Sequence, residues 1–534
     1  MRKPTGCTLM LKRLGLYFHT LKAMKVSQVY YRVRRMLHLD CGMGLRVTQD
    51  IEKAAPISAV QELDFDPAFL ARFSAEELMR NQVTFLHRSK TFDWDGKWSF
   101  DDESALWNFN LHYFEYLFPL IQRYRETKER RYLDHALLMI SNWIRQNPQS
   151  QGGTGWAPYT IDLRLTNWLS FYAAVHMDLE PDFKRLFLQS IQEQYAYLSR
   201  HLEKDILGNH YFEDLKALLL CAVFFQDDEA LPQILEAFAS ECREEILPDG
   251  MHFELSPMYH NIVFEGVIRA AAALRGYGQP SGTIEAFLQP MLNAAWSLEE
   301  GLDRIPLFND AGNNVAKSLE ALVLACSNHF GIAPEYTARL KDSGFYIFKR
   351  KDWKLIVDAG QPGPSYIPGH AHCDAMSFEL YQAGKPVITN CGTYGYQCDE
   401  RSFFRSTAAH NTVMINRKEQ SQCWGAFRMA KRSAVAVKSL SDSGIVMEMT
   451  DYIGQKATRT IQFGEKLTII DASAKNRLTA FLHILEDIPY SIEGDQQLVP
   501  QSYAPEYGQK TGMNALMYTG SDQISAQIAL DERS

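Results

Sequence analysis

Two histidines and a carboxylate stand close together in residues 368–375, just before a predicted strand. His370 and His372 are two positions apart, and Asp374 follows them. Because side chains alternate along an extended chain, both imidazoles point to the same side of an extended segment. An imidazole acts as a base near neutral pH or binds a metal through a neutral nitrogen. The spacing fits a general base, a pair of metal ligands or a surface turn with ordinary hydrogen bonds, and does not choose among them.

Three further clusters place polar side chains where a loop meets a helix or a strand. Arg405 and His410 precede a predicted strand, Tyr259 and His260 stand at the start of a long helix, and Asn209 lies at another loop-to-helix junction. A phenol can serve as an acid or a base, and an amide can point at a substrate. The structural alternatives are a core histidine at 410, an aromatic packing residue at 259 and a helix cap at 209.

A weaker candidate lies in the aromatic segment 107–113, which contains Asn110 and His112. Apolar residues surround both side chains in the sequence, so most of this segment is predicted to belong to the core. We predict that the two polar side chains line a groove.

The elements that must position these residues change type near residue 340. Up to about residue 330, apolar residues recur at helical spacing, as at Leu133, Leu137, Ile140 and Ile144. From there on, short β-rich runs separated by turn residues dominate, at 345–348, 355–357, 377–380, 412–415, 460–463 and 467–470. We therefore predict a multidomain α+β chain, with a helical domain over 1–335 and an antiparallel β-sandwich over 336–534.

The composition is that of a large folded protein. The chain has 534 residues, 46% hydrophobic and 22% charged, which excludes a disordered chain, collagen and a small disulfide scaffold. Its 55 Lys and Arg against 64 Asp and Glu give a formal charge of −9, which argues against general nucleic-acid binding. No run approaches the ~20 apolar residues of a membrane helix, so no transmembrane segment is expected. Nothing in the sequence indicates the oligomeric state.

The cysteines bear on the compartment. There are nine, an odd number without a Cys-x-x-Cys pair, which fits a reducing compartment better than a secreted disulfide framework. The apolar stretch at 14–18 is also too short for a signal peptide. We expect a cytoplasmic location, with the periplasm as the alternative. The basic segment 25–35 fits a solvated helix face or, as the less favoured interpretation, a face that touches an anionic membrane.

Five longer segments together resemble a known family. They are WNFNLHYFEYL at 107–117, GNHYFEDLKAL at 208–218, DGMHFELSPMYH at 249–260, GHAHCDAMSFEL at 369–380 and NCGTYGYQCDERSFFRSTAAHNTV at 390–413. In this order they resemble the heparinase II/III-like polysaccharide lyases, including alginate-lyase-like bacterial members. The resemblance runs from about Lys25 to the closing strands. It implies an N-terminal incomplete (α/α) toroid followed by a C-terminal antiparallel β-sandwich.

The resemblance also implies a chemistry, the cleavage of uronate-containing polysaccharides by β-elimination. That reaction needs a group that neutralises the uronate carboxylate, a base for the C5 proton and an acid for the departing glycosidic oxygen. By motif, Asn209 is the neutralising group and Tyr259 is the acid, and for one epimer also the base. His370 corresponds to the catalytic histidine, and His410 to a second histidine near the site.

Four further residues are predicted to bind the substrate. Arg405 is the candidate for a substrate carboxylate, and His260, Asn110 and His112 complete the predicted binding set. The predicted partner is an acidic polysaccharide, in capsule or exopolysaccharide metabolism of a bacterium.

Some members of the family hold a structural zinc in the β-domain. By motif, its ligands here are His372, His410 and the residue before the Gly-Thr-Tyr segment, which is Asn390 where relatives commonly carry Asp. Losing an anionic ligand weakens a zinc site. Asp374 and Cys391 are the candidates to substitute, and the sequence leaves open whether zinc is bound.

Two alternatives to a lyase remain at this point. One is a non-catalytic polysaccharide-binding protein of an assembly pathway, which retention of Asn209, Tyr259 and His370 disfavours. The other is a hydrolase on a similar helical fold, which needs two opposed carboxylates. The candidate residues are His, Tyr and Asn instead, which favours the lyase.

Overall fold

The computed structural model describes residues 6–530 and places helices first and strands second. The helices of the first region are α1 (Gly6–Ala23), α2 (Val26–Met36), α3 (Gln61–Asp64), α4 (Pro67–Leu70), α5 (Ala75–Leu78), α6 (Ala105–Tyr113), α7 (Phe118–Thr127), α8 (Arg130–Gln146), α9 (Pro158–Val175), α10 (Pro181–Leu198), α11 (Asn209–Phe224), α12 (Leu231–Glu245), α13 (Pro257–Gly276), α14 (Gly282–Glu285), α15 (Leu288–Glu299) and α16 (Leu319–Phe330). A short hairpin of β1 (Gln82–Phe85) and β2 (Arg88–Thr91) lies among them.

Burial separates central helices from peripheral ones. Helices α11 and α13 are buried around almost their whole circumference, whereas α8 and α10 each keep an exposed side. On α8 the helical spacing predicted from sequence places Leu133 and Ile140 in the core. One large apolar core runs through this region from Val60 to Cys326. The helices are held mainly by burial of these apolar faces against each other.

The C-terminal region is built from two antiparallel sheets that share one apolar core. The first has the order β3-β4-β5-β6-β7, from β3 (Arg339–Leu340), β4 (Phe345–Arg350), β5 (Trp353–Asp358), β6 (Phe378–Gln382) and β7 (Lys385–Ile388). The second has the order β11-β12-β13-β14-β17-β15, from β11 (Ala434–Ser441), β12 (Gly444–Thr450), β13 (Lys456–Phe463), β14 (Lys466–Leu482), β15 (Tyr490–Glu493) and β17 (Gln509–Ala529). Strands β8 (Val413–Ile415) and β16 (Asp495–Glu506) attach to β14 and β17.

The two sheets pack face to face because alternate side chains of each point inward. Leu355 and Leu380 of the first sheet share a buried cluster with Ile461 and Ile469 of the second. Between the sheets in sequence lie the short helix α17 (Arg401–Phe404) and the hairpin of β9 (Cys423–Trp424) and β10 (Arg428–Met429). These two small elements leave the sheet core and reach toward the helical region.

A helical first part and an antiparallel β second part are therefore confirmed. The last helix of the first part ends at Phe330 and the first strand of the second begins at Arg339, so the predicted boundary falls in the loop between them. A separate cluster joins the two parts, with Met258 and Tyr259 of α13 packed beside Tyr503 and Tyr507. This seam brings the predicted residues of both parts together.

A buried ion pair joins β13 to β14. Arg459 and Asp471 are fully buried, and the guanidinium donates to both carboxylate oxygens at 2.7 and 2.8 Å and to the carbonyls of Met376 and Asn411. Arg459→Ala would leave a buried carboxylate without its partner, which costs about 3–5 kcal/mol of stability. We expect a clearly lower midpoint of urea denaturation.

The matched control for that prediction lies on the same strand. The Lys456 side chain is 62% exposed and pairs with Glu448, so Lys456→Ala should change stability by less than about 1 kcal/mol. Equal midpoints for the two variants would contradict the stabilising role of Arg459.

Candidate active site

The seam between helices and sheets is organised by one carboxylate, Asp310. Arg401 of α17 donates to both of its oxygens, the second at 2.6 Å. The imidazoles of His370 and His372 contact it at 3.0 and 2.8 Å, and the Thr393 hydroxyl donates at 3.2 Å. Burial by itself would raise the pKa of Asp310, but Arg401 and the two histidines outweigh burial and hold it well below its usual range. Asp310 is therefore ionised and can only accept hydrogen bonds.

That ionised state sets the proton positions on His370. Its Nδ1 faces Asp310, and a carboxylate accepts only, so Nδ1 carries the proton. In the neutral ring the lone pair is then on Nε2, which lies on the other side and 4.0 Å from a Glu254 oxygen. His370 is 8% exposed, so Nε2 is the part of the ring available to a substrate. The arrangement is that of a carboxylate-oriented general base.

Asp310 sets the proton positions on His372 and His410 as well. Nε2 of His372 donates to Asp310, so its Nδ1 accepts from Nε2 of His410 at 3.2 Å. Burial lowers the pKa of His372 to about 4 and that of His410 well below its ordinary value. Both rings are neutral near pH 7, and both are fully buried. His372 therefore holds Asp310 in position, and His410 holds His372, and neither ring is exposed to a ligand.

Tyr259 lies directly beside His370, with ring centroids 4.0 Å apart. Its hydroxyl contacts that of Tyr396 at 2.6 Å, which in turn contacts that of Tyr507 at 2.7 Å. Burial raises the pKa of Tyr259 well above 10, although the bond to Tyr396 opposes the rise. The phenol is therefore protonated near neutral pH and suited to donate a proton. Ser256 caps α13 by accepting from the Tyr259 amide, and its hydroxyl donates to the Asp310 carbonyl, which ties the two residues together.

A second group of polar atoms faces this pair from the helical side. Glu254 is 1% exposed, and neither of its carboxylate oxygens has a hydrogen-bond partner among the described residues. A Cβ added to Gly208 would lie only 2.7 Å from one of these oxygens, so there is no room for a side chain at position 208. Gly208 has a φ of +61°, which also favours glycine. The chain therefore passes close to Glu254 just before Asn209.

Asn209 is the first residue of α11 and is not its cap. Gly208 occupies the cap position, and no side chain caps the helix. Asn209 is 2% exposed, and its amide oxygen has no partner among the described residues. Buried amide oxygens are normally hydrogen-bonded, so the unsatisfied oxygen of Asn209 points to a ligand contact.

The four predicted substrate-binding residues are placed differently. Arg405 is 1% exposed, and its guanidinium donates to backbone carbonyls, among them those of Pro368 and Ala371. His260 accepts from the His252 amide and bonds the Met291 carbonyl, inside the helical core. These two residues hold loops and helices in position, because their polar atoms are already used.

The other two predicted substrate-binding residues, Asn110 and His112, both lie on α6. The Asn110 amide donates to the Leu106 carbonyl one turn earlier, at 2.8 Å. His112 accepts from the Trp143 indole at 2.9 Å, and burial lowers its pKa to about 3. His112 thus packs as a neutral core residue against Trp143 and does not line a groove.

The residues predicted to hold zinc do not fit a metal site. The facing nitrogens of His372 and His410 bond each other, and the Asn390 oxygen accepts from the Asn411 amide at 3.0 Å. The proposed substitutes are engaged as well, Asp374 with the Asn309 amide and Cys391 with Gln501. Within residues 6–530, no group of three His, Cys, Asp or Glu side chains converges on one point.

Four residues of the site escaped sequence reasoning as individuals. Glu254, Tyr396 and Arg401 stand inside the five segments that resemble the family, but nothing in their spacing marks them. Asp310 stands outside all five, in the run Asn309-Asp310-Ala311-Gly312-Asn313. An acidic residue in such a loop is indistinguishable from an ordinary turn until the loop is seen to meet His370.

The weak donor set around Asn390 can be tested by substitution. Asn390 is neutral and its amide nitrogen has no partner among the described residues, so Asn390→Asp would supply the missing anionic ligand beside the two histidines. We expect the variant to retain about one zinc per chain after dialysis against excess zinc, and the unchanged protein to retain almost none, measured by mass spectrometry of the metal. The exposed Asn416→Asp is the control. Stoichiometric zinc in the unchanged protein would contradict the prediction.

Comparison with known proteins identifies the family of the chain. The family model "Heparinase II/III N-terminus" matches residues 18–331, and "Heparinase II/III-like, C-terminal" matches residues 333–522. A heparin-sulfate lyase of Pedobacter heparinus is 23% identical over 434 residues, which are 74% of this chain and 63% of that protein. The chain therefore spans less than two thirds of this relative.

Solved structures support the fold. A crystal structure of heparinase III superposes with a TM-score of 0.67 at 16% identity, covering 91% of this chain and 86% of the other. Chondroitin AC lyase of Streptomyces coelicolor superposes with a TM-score of 0.51 at 10% identity, covering 89% and 80%. With both family models matched in order along nearly its whole length, the chain belongs to the heparinase II/III family.

Proposed function

We propose that this protein is a polysaccharide lyase that cleaves an acidic, uronate-containing polysaccharide by β-elimination. The observation that carries the proposal is the pairing of Tyr259 with His370, ring centroids 4.0 Å apart, with His370 oriented by an ionised Asp310. Relatives named as heparin-sulfate lyases support the substrate class. A role in capsule or exopolysaccharide metabolism belongs to the same proposal.

The reaction assigns one task to each group. Nε2 of His370 takes the proton from C5 of the uronate, and the electron pair of that bond forms the C4–C5 double bond. The C4–oxygen bond breaks, and the protonated phenol of Tyr259 gives its proton to the departing oxygen. The raised pKa of Tyr259 fits this acid role. Products are an unsaturated uronate and a new chain end.

The uronate carboxylate must be neutralised for C5 to lose its proton. The amide of Asn209 is proposed to donate to it from the start of α11, where the helix dipole also favours an anion. The tyrosine chain from Tyr259 through Tyr396 to Tyr507 offers a route by which the phenol regains its proton. Phe427 is 41% exposed and stands against Tyr396 and His370, so its ring is proposed to contact a sugar face.

His410 has a positioning task in this scheme. It is fully buried and hydrogen-bonds His372, so it has no direct access to Nε2 of His370. The helices are proposed to close as an incomplete (α/α) toroid, and the two sheets as the family's β-sandwich, with the substrate in the cleft between them. No zinc is assigned a step.

The alternative is a non-catalytic polysaccharide-binding protein, and one experiment separates the two. Incubation with a panel of uronate polymers should raise ultraviolet absorbance from the unsaturated uronate. Tyr259→Phe and His370→Ala should each lower the rate by about 10² or more, because general acid–base groups contribute about 10²–10⁴. Tyr346→Phe, a buried tyrosine of the sheet core, is the matched control and should stay active.

The two functions give distinct outcomes in this experiment. Binding of a polymer without any rise in absorbance would support the binding protein. Full activity in both variants would exclude acid–base catalysis by Tyr259 and His370.

Asp310 provides a separate test of how His370 is oriented. Asp310→Asn keeps the shape but can donate to Nδ1 of His370 and so permits the wrong tautomer. We expect kcat to fall by about 10² or more with a smaller change in KM. Binding affinity for a polymer should survive in the variant. Unchanged kcat would show that Asp310 only holds the fold.

A further inference from the structure

The second helix of the chain is turned with its apolar side toward solvent. On α2, Val26, Val29, Tyr30, Val33 and Met36 are between 42% and 85% exposed. Their spacing of three and four residues places them on one face. A surface helix of a folded protein normally buries such a face. Here the apolar face is left open.

The polar side of α2 holds the helix on the protein instead. Gln28 is buried and donates to the Ile206 carbonyl. Arg32 and Arg35 both pair with the buried carboxylate of Asp205, at 2.7 and 2.9 Å. Lys25 pairs with Glu244. These ion pairs fix the orientation, so the outward apolar face is built into the fold.

Helix α1 carries a second set of exposed apolar residues. Leu14, Tyr17, Phe18 and Leu21 are 48% to 64% exposed, again at helical spacing. We call these four residues and the five exposed apolar residues of α2 together the N-terminal apolar face. An exposed apolar patch of this kind marks an interaction site.

The segment that carries this face has a formal charge opposite in sign to that of the rest of the chain. The first 39 residues contain nine Lys or Arg and no Asp or Glu. The remaining residues have 46 Lys or Arg against 64 Asp or Glu, a formal charge of −18. Arg13 and Lys22 are exposed beside the apolar residues of α1. Lys25, Arg32 and Arg35 are offset by their acidic partners, so Arg13 and Lys22 are the exposed basic side chains on which the attraction of an anion rests.

We propose that the N-terminal apolar face binds the surface of an anionic lipid bilayer. Helices that carry exposed aliphatic and aromatic side chains, and whose own charged residues are all Lys or Arg, have the composition that lies in a headgroup layer. Among residues 6–530, none of the helices has the length and apolar character of a membrane span. An acidic protein partner would need free arginines on α2 to pair with. Arg32 and Arg35 are already paired with Asp205, which favours a lipid surface over such a partner.

The face is joined to the proposed site through a short hairpin. Tyr17 packs edge-on against Trp424 at 4.8 Å, and the Trp424 indole donates to Thr20. Trp424 lies on β9, and β9 and β10 carry Phe427, which stands against His370. A bilayer under α1 and α2 would therefore lie beside the edge of the cleft that His370 lines.

Vesicle flotation with the full chain tests the proposal. We expect the protein to float with vesicles of phosphatidylcholine containing a third phosphatidylglycerol, and not with phosphatidylcholine alone. Raising the salt concentration should weaken the binding because screening shortens the reach of the charges. Val29→Gln with Val33→Gln should lower the partition by about tenfold or more, since both side chains leave the lipid.

Met177→Gln is the matched control, because Met177 is 83% exposed and belongs to the short turn after α9 and not to α1 or α2. It should float as the unchanged protein does, and unchanged circular dichroism would show that the double variant is folded. Absence of flotation with the anionic vesicles would overturn the proposal. So would a concentration-dependent dimer in sedimentation that the double variant abolishes, since the face would then be covered by a second copy.

Discussion

The candidate site depends on the ion pair between Asp310 and Arg401. Asp310 comes from the loop between α15 and α16, and Arg401 comes from α17 within the β region, so the pair joins the two parts of the chain. It also keeps Asp310 ionised in a fully buried position. An ionised carboxylate fixes the tautomers of His370 and His372 at once. Truncating either side chain would leave the other charge buried without its partner and would misplace the proposed base.

The open side of the site is defined by groups that the protein leaves unpaired. Glu254 and the amide oxygen of Asn209 are buried without hydrogen-bond partners among the described residues, although such groups are normally satisfied. Behind them, the polar atoms of Arg405, His260 and His372 are engaged. The contrast separates residues that hold the site from residues available to a ligand. It also moves Arg405 and His260 from substrate contact to structural support.

The two-part architecture could be predicted from the sequence because periodicity reports directly on helices and strands. The spacing of Leu133 and Ile140 marked a buried helix face, and the run at 467–470 lies in the long strand β14. Tyr259 and His370 could be named because segments around them resemble a family. Arg405 and His112 could not be judged, because a polar residue among apolar ones has the same pattern whether it binds a ligand or the backbone.

By itself, therefore, the sequence determined the order of the two parts, the family and the identity of the proposed acid and base. Only the tertiary structure decided which partners each polar group has. Asp310 reaches His370 across 60 positions of sequence, and no local pattern encodes a contact of that range. The outward face of α2 is a similar case. The amphipathic spacing of α2 can be read locally, but ion pairs with Asp205 and Glu244, which lie far along the chain, decide which side of the helix faces solvent. Long-range ion pairs fixed both features.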